Sequence, residues 1–232
     1  MSAWLAWVFV VQLVAAPVWA ITLGQVDDFQ DGTTQGWGGG STPTNVADGG
    51  PDGAGDRYLQ VSSTDFHLGT NNLLQWAGDY LAEDVEELVF HLNNFGPDPV
   101  ALRVSLIGAD GTTFTSTDEA VLAAGSGWVS ASFGLSEAEL TRTQGAGTLD
   151  QTLAAVTVLL LRHDPDPISP PGEANFVTGV LGIDNVTTLP EPDLPLGLAT
   201  GVPALAMLAR VRARRAAGHD VGARRTMVPR RR

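Results

Sequence analysis

Short runs of β-forming residues, separated by glycine, aspartate, asparagine and proline, limit what this chain can fold into more than any other feature. The run at 101–106 alternates apolar and polar side chains, as a strand with one buried face does. The run at 156–161 is almost continuously apolar, which is typical of a central strand. The triplet Ala109-Asp110-Gly111 between two runs predicts a hairpin. Together the runs predict strands at Tyr58–Ser62, Asn72–Trp76, Glu87–Asn93, Ala101–Ile107, Thr112–Thr115, Val129–Phe133, Val156–Leu161 and Gly179–Thr187.

Helix signals are sparse. Ser136-Glu137-Ala138-Glu139 fits a capping box that opens one or two helical turns, and 149–155 predicts a second short helix. Two loops, 31–55 and 164–172, are too rich in glycine or proline for regular structure. The predicted fold class is therefore all-β, a jelly-roll β-sandwich.

The N-terminus carries an export signal. Residues 5–18 are almost wholly apolar, and Val18-Trp19-Ala20 places small residues at the −3 and −1 positions of a signal-peptidase site. We predict a helical signal peptide over 1–20, handled by the Sec translocon and cleaved by signal peptidase after Ala20. The segment 1–3 has no lysine or arginine, so the alternative is an uncleaved N-terminal anchor.

The C-terminus combines a Pro-Glu-Pro triplet, an apolar run and an arginine cluster, in that order. This arrangement resembles the PEP-CTERM sorting tail, which implies recognition by an exosortase-type processing enzyme. It also implies an inner-membrane intermediate and final delivery to the cell surface or the extracellular space. A helix over 194–209 would span about 24 Å against a hydrocarbon core of ~30 Å, which suits a temporary membrane stop. The tail residues are Pro190, Glu191, Pro192, Arg210, Arg212, Arg214 and Arg215.

These signals divide the chain into four predicted parts. They are a signal peptide at 1–20, a β-sandwich domain at 21–189, a sorting segment at 190–215 and a basic, disordered extension at 216–232.

Charge and cysteine content exclude several classes of function. Residues 21–192 hold 24 aspartates and glutamates against four arginines, a balance of −20, and the chain has no lysine. So acidic a domain repels phosphate backbones, which excludes nucleic acid as a partner, and it suits the binding of cations. Because cysteine is absent, thiol catalysis, cysteine-bound zinc and disulfides are excluded.

The predicted domain resembles the galactose-binding-like β-sandwich found in carbohydrate-binding modules. The resemblance rests on the segments 28–37, 49–59, 76–80, 125–128 and 181–186, in that order. In such modules, an acidic residue after the opening phenylalanine and an aspartate of the closing strand hold a structural calcium ion. Gln30 stands at the first position and Asp184 at the second, with Asp28 and Asp31 nearby. The resemblance thus implies a calcium site at these four residues; alternatively, Asp28 and Asp31 shape a turn and Asp184 caps a strand end.

Two further patterns invite a binding interpretation. Asp48, Asp52 and Asp56 recur among glycines and form either a calcium loop or plain turns. Trp76 with Tyr80, and Trp128, are candidates for stacking on sugar rings, with burial in the core as the alternative.

Signals for catalysis are missing. The domain histidines, His67, His91 and His163, lack metal-ligand spacing, and no nucleophile elbow occurs. We therefore expect a non-catalytic, exported and transiently anchored protein with a structural or adhesive role at the surface or in the extracellular matrix. The alternative is a carbohydrate-binding module that engages polysaccharide through loop aromatics, and a second alternative is a glycan-active hydrolase.

Overall fold

The computed structural model describes residues 20–166 and 168–190, which form two antiparallel sheets and one short helix. The predicted all-β sandwich is confirmed. The elements in chain order are β1 Val26–Asp27, β2 Trp37–Gly38, β3 Thr44–Val46, β4 Tyr58–His67, β5 Gly69–Asn72, β6 Glu87–Asn94, β7 Val100–Gly108, β8 Thr113–Ser116, β9 Ala120–Leu122, β10 Trp128–Gly134, β11 Leu140–Gln144, α1 Leu149–Leu153, β12 Val156–His163 and β13 Phe176–Leu189.

The strands divide between two sheets. Sheet A has the order β10-β6-β13-β4-β3, with β1 paired to β13. Sheet B has the order β11-β8-β7-β12-β5-β2, with β9 paired to β7. The chain crosses from sheet A to sheet B between β4 and β5, at the buried residue Leu68. This corner brings the end of β4 next to β5 and β12.

The core lies between the sheets and follows the strand alternation. Leu102, Val104 and Leu106 of β7 are fully buried in it, as are Leu159 and Leu161 of β12. Sheet A contributes alternate residues of its two central strands, Phe90 and Leu92 of β6 and Leu181 and Ile183 of β13. Because successive side chains point to opposite faces, the residues between these face away from the core.

The predicted strands agree with the observed ones except at residues 72–76. Strand β5 ends at Asn72, whose side-chain oxygen accepts a hydrogen bond from the Leu74 amide and so closes a turn. The prediction of a strand at Asn72–Trp76 was therefore wrong. The predicted hairpin at 109–111 is confirmed, since β7 and β8 pair around it and Gly111 takes a φ of +79°.

The two helix predictions have different outcomes. Helix α1 forms within the predicted 149–155 and begins with a capping box between Thr148 and Gln151. At Ser136 one capping-box bond is present, since its backbone amide donates to the Glu139 carboxylate at 3.3 Å, but the segment is a turn and not a helix.

The predicted signal peptide before Ala20, the apolar run 194–209 and the arginine cluster lie outside the described residues. Of the sorting triplet only Pro190 is described, and it is exposed just after β13. Among residues 20–166 and 168–190, no helix has the length and apolar character needed to cross a membrane. Ile21, the first residue of the predicted mature chain, is buried and donates its amide to Ala77 O at 2.9 Å.

Candidate functional site

A groove of about 220 Å³ lies at the corner where the chain passes from sheet A to sheet B. Its floor includes Asn71 of β5 and Leu160 of β12, which are register partners on the face of sheet B that points away from the core. Phe66 and His67 at the end of β4 border it, and Gly40 and Gly172 line it from two loops. We call this the corner groove.

Two aromatic rings stand at the edge of the corner groove. Phe66 and Phe176 stack with their centroids 5.3 Å apart and their planes 24° from parallel. Their exposed fractions are 56% and 46%, so this is a solvent-facing pair and not part of the core. His67 lies edge-on to both rings, 4.8 and 4.9 Å from their centroids. Exposed flat rings beside hydrogen-bonding groups can stack on the apolar face of a sugar.

The polar side of the corner groove comes from β12. Arg162 is only 7% exposed, and one of its terminal nitrogens donates to Asp164 at 2.7 Å. Its Nε is buried without a hydrogen-bond partner. His163 accepts the Ala101 amide at Nδ1, 3.1 Å away, and burial lowers the pKa of its ring. The groove is therefore lined on this side by the His163 ring, which accepts a hydrogen bond at Nδ1, and by the Arg162 guanidinium, which is paired with Asp164.

The proline-rich segment 164–172 is held against sheet B by a second arginine. Arg103 is fully buried, and its five N–H groups find five oxygens. Two of these belong to the carboxylates of Glu119 and Asp166, at 2.7 and 2.5 Å. The Asp164 carboxylate in turn accepts from Ser169 and Asn175. This network fixes the loop that carries Gly172, and thus one wall of the groove.

A second candidate site lies on the outer face of sheet A around Asp184. This carboxyl group is 1% exposed, and while Oδ1 accepts from the Asn185 amide at 2.8 Å, Oδ2 has no partner. Burial raises the pKa of Asp184 to about 7, and the nearby carboxylates of Asp56, Asp28 and Asp52 push it the same way. A buried carboxylate with an unmet oxygen among other carboxylates favours a bound cation.

The predicted calcium ligands are brought together in part. Gln30 lies beside Asp28 and Asp56, and its amide nitrogen contacts the Asp28 carbonyl oxygen at 3.1 Å and an Asp56 carboxylate oxygen at 2.6 Å. The Asp31 carboxylate instead accepts hydrogen bonds from the amide and the hydroxyl of Thr33 and closes an exposed turn. This is the turn-forming role that was the alternative to calcium binding. Within the described residues, no three acidic or histidine side chains suffice alone for a metal site, so carbonyl and amide oxygens would have to complete it.

The prediction that Trp76 and Tyr80 stack on sugar rings was wrong. Both are 0% exposed, because the Trp76 indole donates to Asp27 at 2.6 Å and the Tyr80 hydroxyl donates to the Trp76 carbonyl. They belong to the core and offer no face to a ligand. Trp128 is half-buried on sheet A, donates its indole N–H to Gly49 O at 2.9 Å and meets Tyr58 and Phe95 edge-on.

Sequence reasoning missed the residues that form the corner groove. Phe66 and Phe176 are 110 positions apart and meet because β4 and β13 pair at this end. The available signal was local: Thr64-Asp65-Phe66-His67 places a large apolar ring among polar residues, out of phase with Leu59 and Val61. Near Phe66 the strand is irregular, since Asp65 has a φ of +50° and the β4–β13 register shifts by one residue.

No protein-family model matches the chain, and no curated protein matches it either. Solved structures are similar in fold. An exo-β-agarase matches with a TM-score of 0.52 at 12% identity over 85% of this chain, which spans 31% of that protein's length.

Carbohydrate-binding modules with a β-sandwich fold are also among the similar structures. A family 11 module from Clostridium thermocellum, in complex with a β-1,3-1,4-mixed-linked tetrasaccharide, has a TM-score of 0.45 at 15% identity, covering 73% of this chain and 97% of its own. A xylan-binding CBM22-2 domain from Paenibacillus barcinonensis has a TM-score of 0.42 at 15% identity, covering 72% and 98%. At these identities the similarity concerns the fold alone.

Proposed function

We propose that this protein binds polysaccharide through the corner groove and does not cleave it. The observation that carries the proposal is the stacked, half-exposed pair Phe66 and Phe176 beside the hydrogen-bonding groups of Asn71 and Arg162. A contiguous patch of exposed apolar rings with polar groups around it is typical of a ligand-binding surface. The names of the similar structures add agarose, mixed-linked β-glucan and xylan as ligands to try.

Affinity electrophoresis of the full-length chain in gels that contain each of these polysaccharides tests the proposal. Phe66→Ala and Phe176→Ala should each weaken binding by about tenfold or more, because covering a phenylalanine is worth about 1.5 kcal/mol or more. Val121→Ala removes an exposed apolar side chain of β9, outside the groove, and should leave binding unchanged. Binding that all three variants retain would exclude the corner groove as the site.

The proposal places this binding outside the cytoplasm. The predicted signal peptide at 1–20 and the predicted sorting segment at 190–215 support export to the surface or the extracellular matrix, where polysaccharide is accessible. Intact-mass measurement of the secreted protein tests this. A mature form that begins at Ile21 and ends near Pro190 to Pro192 is expected, and a full-length mass in the medium would contradict it.

We propose in addition that the Asp184 site holds a structural calcium ion. Asp184 Oδ2 needs a partner, and the carbonyl oxygens of Asp28 and Arg57 lie beside Gln30. Such mixed oxygen ligands are those that Ca²⁺ prefers, and the ion would neutralise the local carboxylates. The melting temperature should therefore rise with calcium relative to chelator. Equal melting temperatures would remove this part of the proposal.

A further inference from the structure

The stacked phenylalanine pair at the corner groove also borders the outer face of sheet A. On β13, Val177 packs against the core and Leu181 lies in it. The register shift between Val177 and Gly179 adds its extra residue to β4, so β13 itself alternates regularly. Phe176 therefore points to the outer face of sheet A, and Phe66 stacks against it there.

A second aromatic group lies on the same face, around Gly182 of β13. A Cβ at Gly182 would lie 2.8 Å from both the Phe95 and the Trp128 rings, so these rings cover its backbone. Tyr58 packs against them, with centroid distances of 5.6 Å to Phe95 and 5.3 Å to Trp128. Phe95 is 44% exposed, and its amide donates to Val180 O at 2.8 Å. This group therefore presents one fixed and open ring, that of Phe95.

The exposed aromatic rings of the domain all lie on this face. In the part of the chain that the structure describes, the phenylalanine, tyrosine and tryptophan side chains that are exposed are Phe66, Phe95 and Phe176. Single apolar residues scattered over a surface are ordinary, but several rings on one face mark an interaction surface. The stretch of β13 from Phe176 to Gly182 spans about 20 Å at ~3.3 Å per residue, which is the length of several sugar units in a linear chain.

The surface between the two aromatic groups is uncharged. By the same alternation, Gln60 and Ser62 of β4 and Thr178 and Val180 of β13 point outward there, and Ser62 is the register partner of Val180. All four are exposed or half-buried, and none carries a charge although the domain is strongly acidic. They offer hydroxyl and amide groups beside a small apolar surface. This combination suits a neutral chain rich in hydroxyl groups better than a charged partner.

We propose that a polysaccharide chain bound at the corner groove continues along β13 on the outer face of sheet A and stacks on Phe95 as a second platform. This inference rests on the proposed function. The ligand is a linear, neutral stretch of several sugar units, because a shorter one cannot contact both aromatic groups. Affinity should therefore increase with the length of the bound chain.

Isothermal titration calorimetry of the full-length chain with disaccharides and hexasaccharides of agarose, mixed-linked β-glucan and xylan tests this. The wild type should bind the hexasaccharide of the preferred polymer about tenfold or more tighter than its disaccharide. Phe95→Ala should remove that advantage, because covering a phenylalanine ring is worth about a factor of ten, and should leave disaccharide binding at the corner groove unchanged. Leu81→Ala is the matched control, since Leu81 is also 44% exposed but lines a different cavity beside Leu149 of α1.

Ser62→Arg separates one continuous chain from two independent sites. It keeps every ring and places a large, charged side chain on the exposed surface between the two aromatic groups. It should weaken hexasaccharide binding as much as Phe95→Ala does and leave disaccharide binding at the wild-type level.

The extended site would be overturned, while the corner groove stands, if Phe66→Ala alone weakened hexasaccharide binding. A hexasaccharide that binds the wild type no more tightly than the disaccharide would overturn it as well. So would a face that pairs two copies of the chain, since Phe95→Ala would then lower the mass measured by sedimentation and leave hexasaccharide affinity unchanged. A wild type that binds neither the oligosaccharides nor the polymers would remove the proposed function and this inference together.

Discussion

Trp76 donates its indole N–H to a carboxylate oxygen of Asp27 at 2.6 Å, inside the core. The Trp37 indole donates to the same oxygen at 2.7 Å, and Gln75 donates its amide from one side. Burial raises the pKa of Asp27, while these three donors act in the opposite direction. One buried side chain thus satisfies both core indoles of the described domain and joins β1 to β2 and to the loop after β5.

Asp27→Ala should lower the free energy of unfolding by about 2–4 kcal/mol, because it leaves two buried indole N–H groups without an acceptor. Urea denaturation followed by tryptophan fluorescence measures this. Asp98→Ala, at an exposed aspartate, should stay within about 0.5 kcal/mol of the wild type. Equal effects of the two substitutions would show that the indoles do not depend on Asp27.

Arg103→Lys should destabilise the domain by about 1–3 kcal/mol although the charge is kept. Lysine has three donors, and Arg103 uses five, two of them toward Glu119 and Asp166. Thermal unfolding measures the loss. The matched control is Arg142→Lys, since Arg142 is exposed and bonds only two carbonyl groups. A similar change in both variants would contradict a special role for the Arg103 network.

Gly182→Ala should destabilise the domain by about 1–3 kcal/mol and alter the Trp128 fluorescence. A Cβ at Gly182 would lie 2.8 Å from both the Phe95 and the Trp128 rings, so the aromatic cluster on sheet A would have to move. Gly38→Ala provides the control, because nothing lies within 4 Å of a Cβ there. The expectation fails if both variants unfold at the wild-type temperature with unchanged spectra.

Protonation of His163 should lower the free energy of unfolding as the pH falls. Burial lowers the pKa of its ring from 6.5, so the unfolded chain binds the proton more readily than the folded one does. This contribution is complete above about pH 6.5 and is lost as the pH falls toward the folded-state value. Protonation also removes the lone pair that accepts the Ala101 amide.

Melting temperatures measured between pH 5 and 8 test this, with His163→Gln as the comparison. The wild type should lose stability on acidification faster than the variant, and the difference between the two isolates His163 from the acidic groups they share. Parallel curves for both proteins would contradict the prediction.

Local patterning was enough to predict most of the sandwich. The runs at 101–106 and 156–161 became β7 and β12. The alternation at 101–106 predicted that the polar face of this strand is exposed, which was wrong, because Arg103 and Ser105 are fully buried in hydrogen bonds to neighbouring residues. The hairpin at 109–111 and helix α1 followed from turn and capping chemistry that is equally local. The strand prediction at 72–76 failed because the Asn72 side chain accepts the Leu74 amide and closes a turn there, while Trp76 is buried in the core instead of continuing β5.

The sequence by itself determined the fold class and the acidic charge, and it predicted a calcium site that includes Asp184. Only the tertiary structure decided which aromatic rings are exposed to solvent and which polar side chains lie close together. Trp76 and Tyr80 became core residues because Asp27 and a backbone carbonyl were available inside to accept their polar hydrogens. Phe66 and Phe176 came together through strand pairing, and Asp56 came within hydrogen-bond distance of Gln30 through loop closure. Such long-range juxtapositions follow from topology, and no local window of residues contains them.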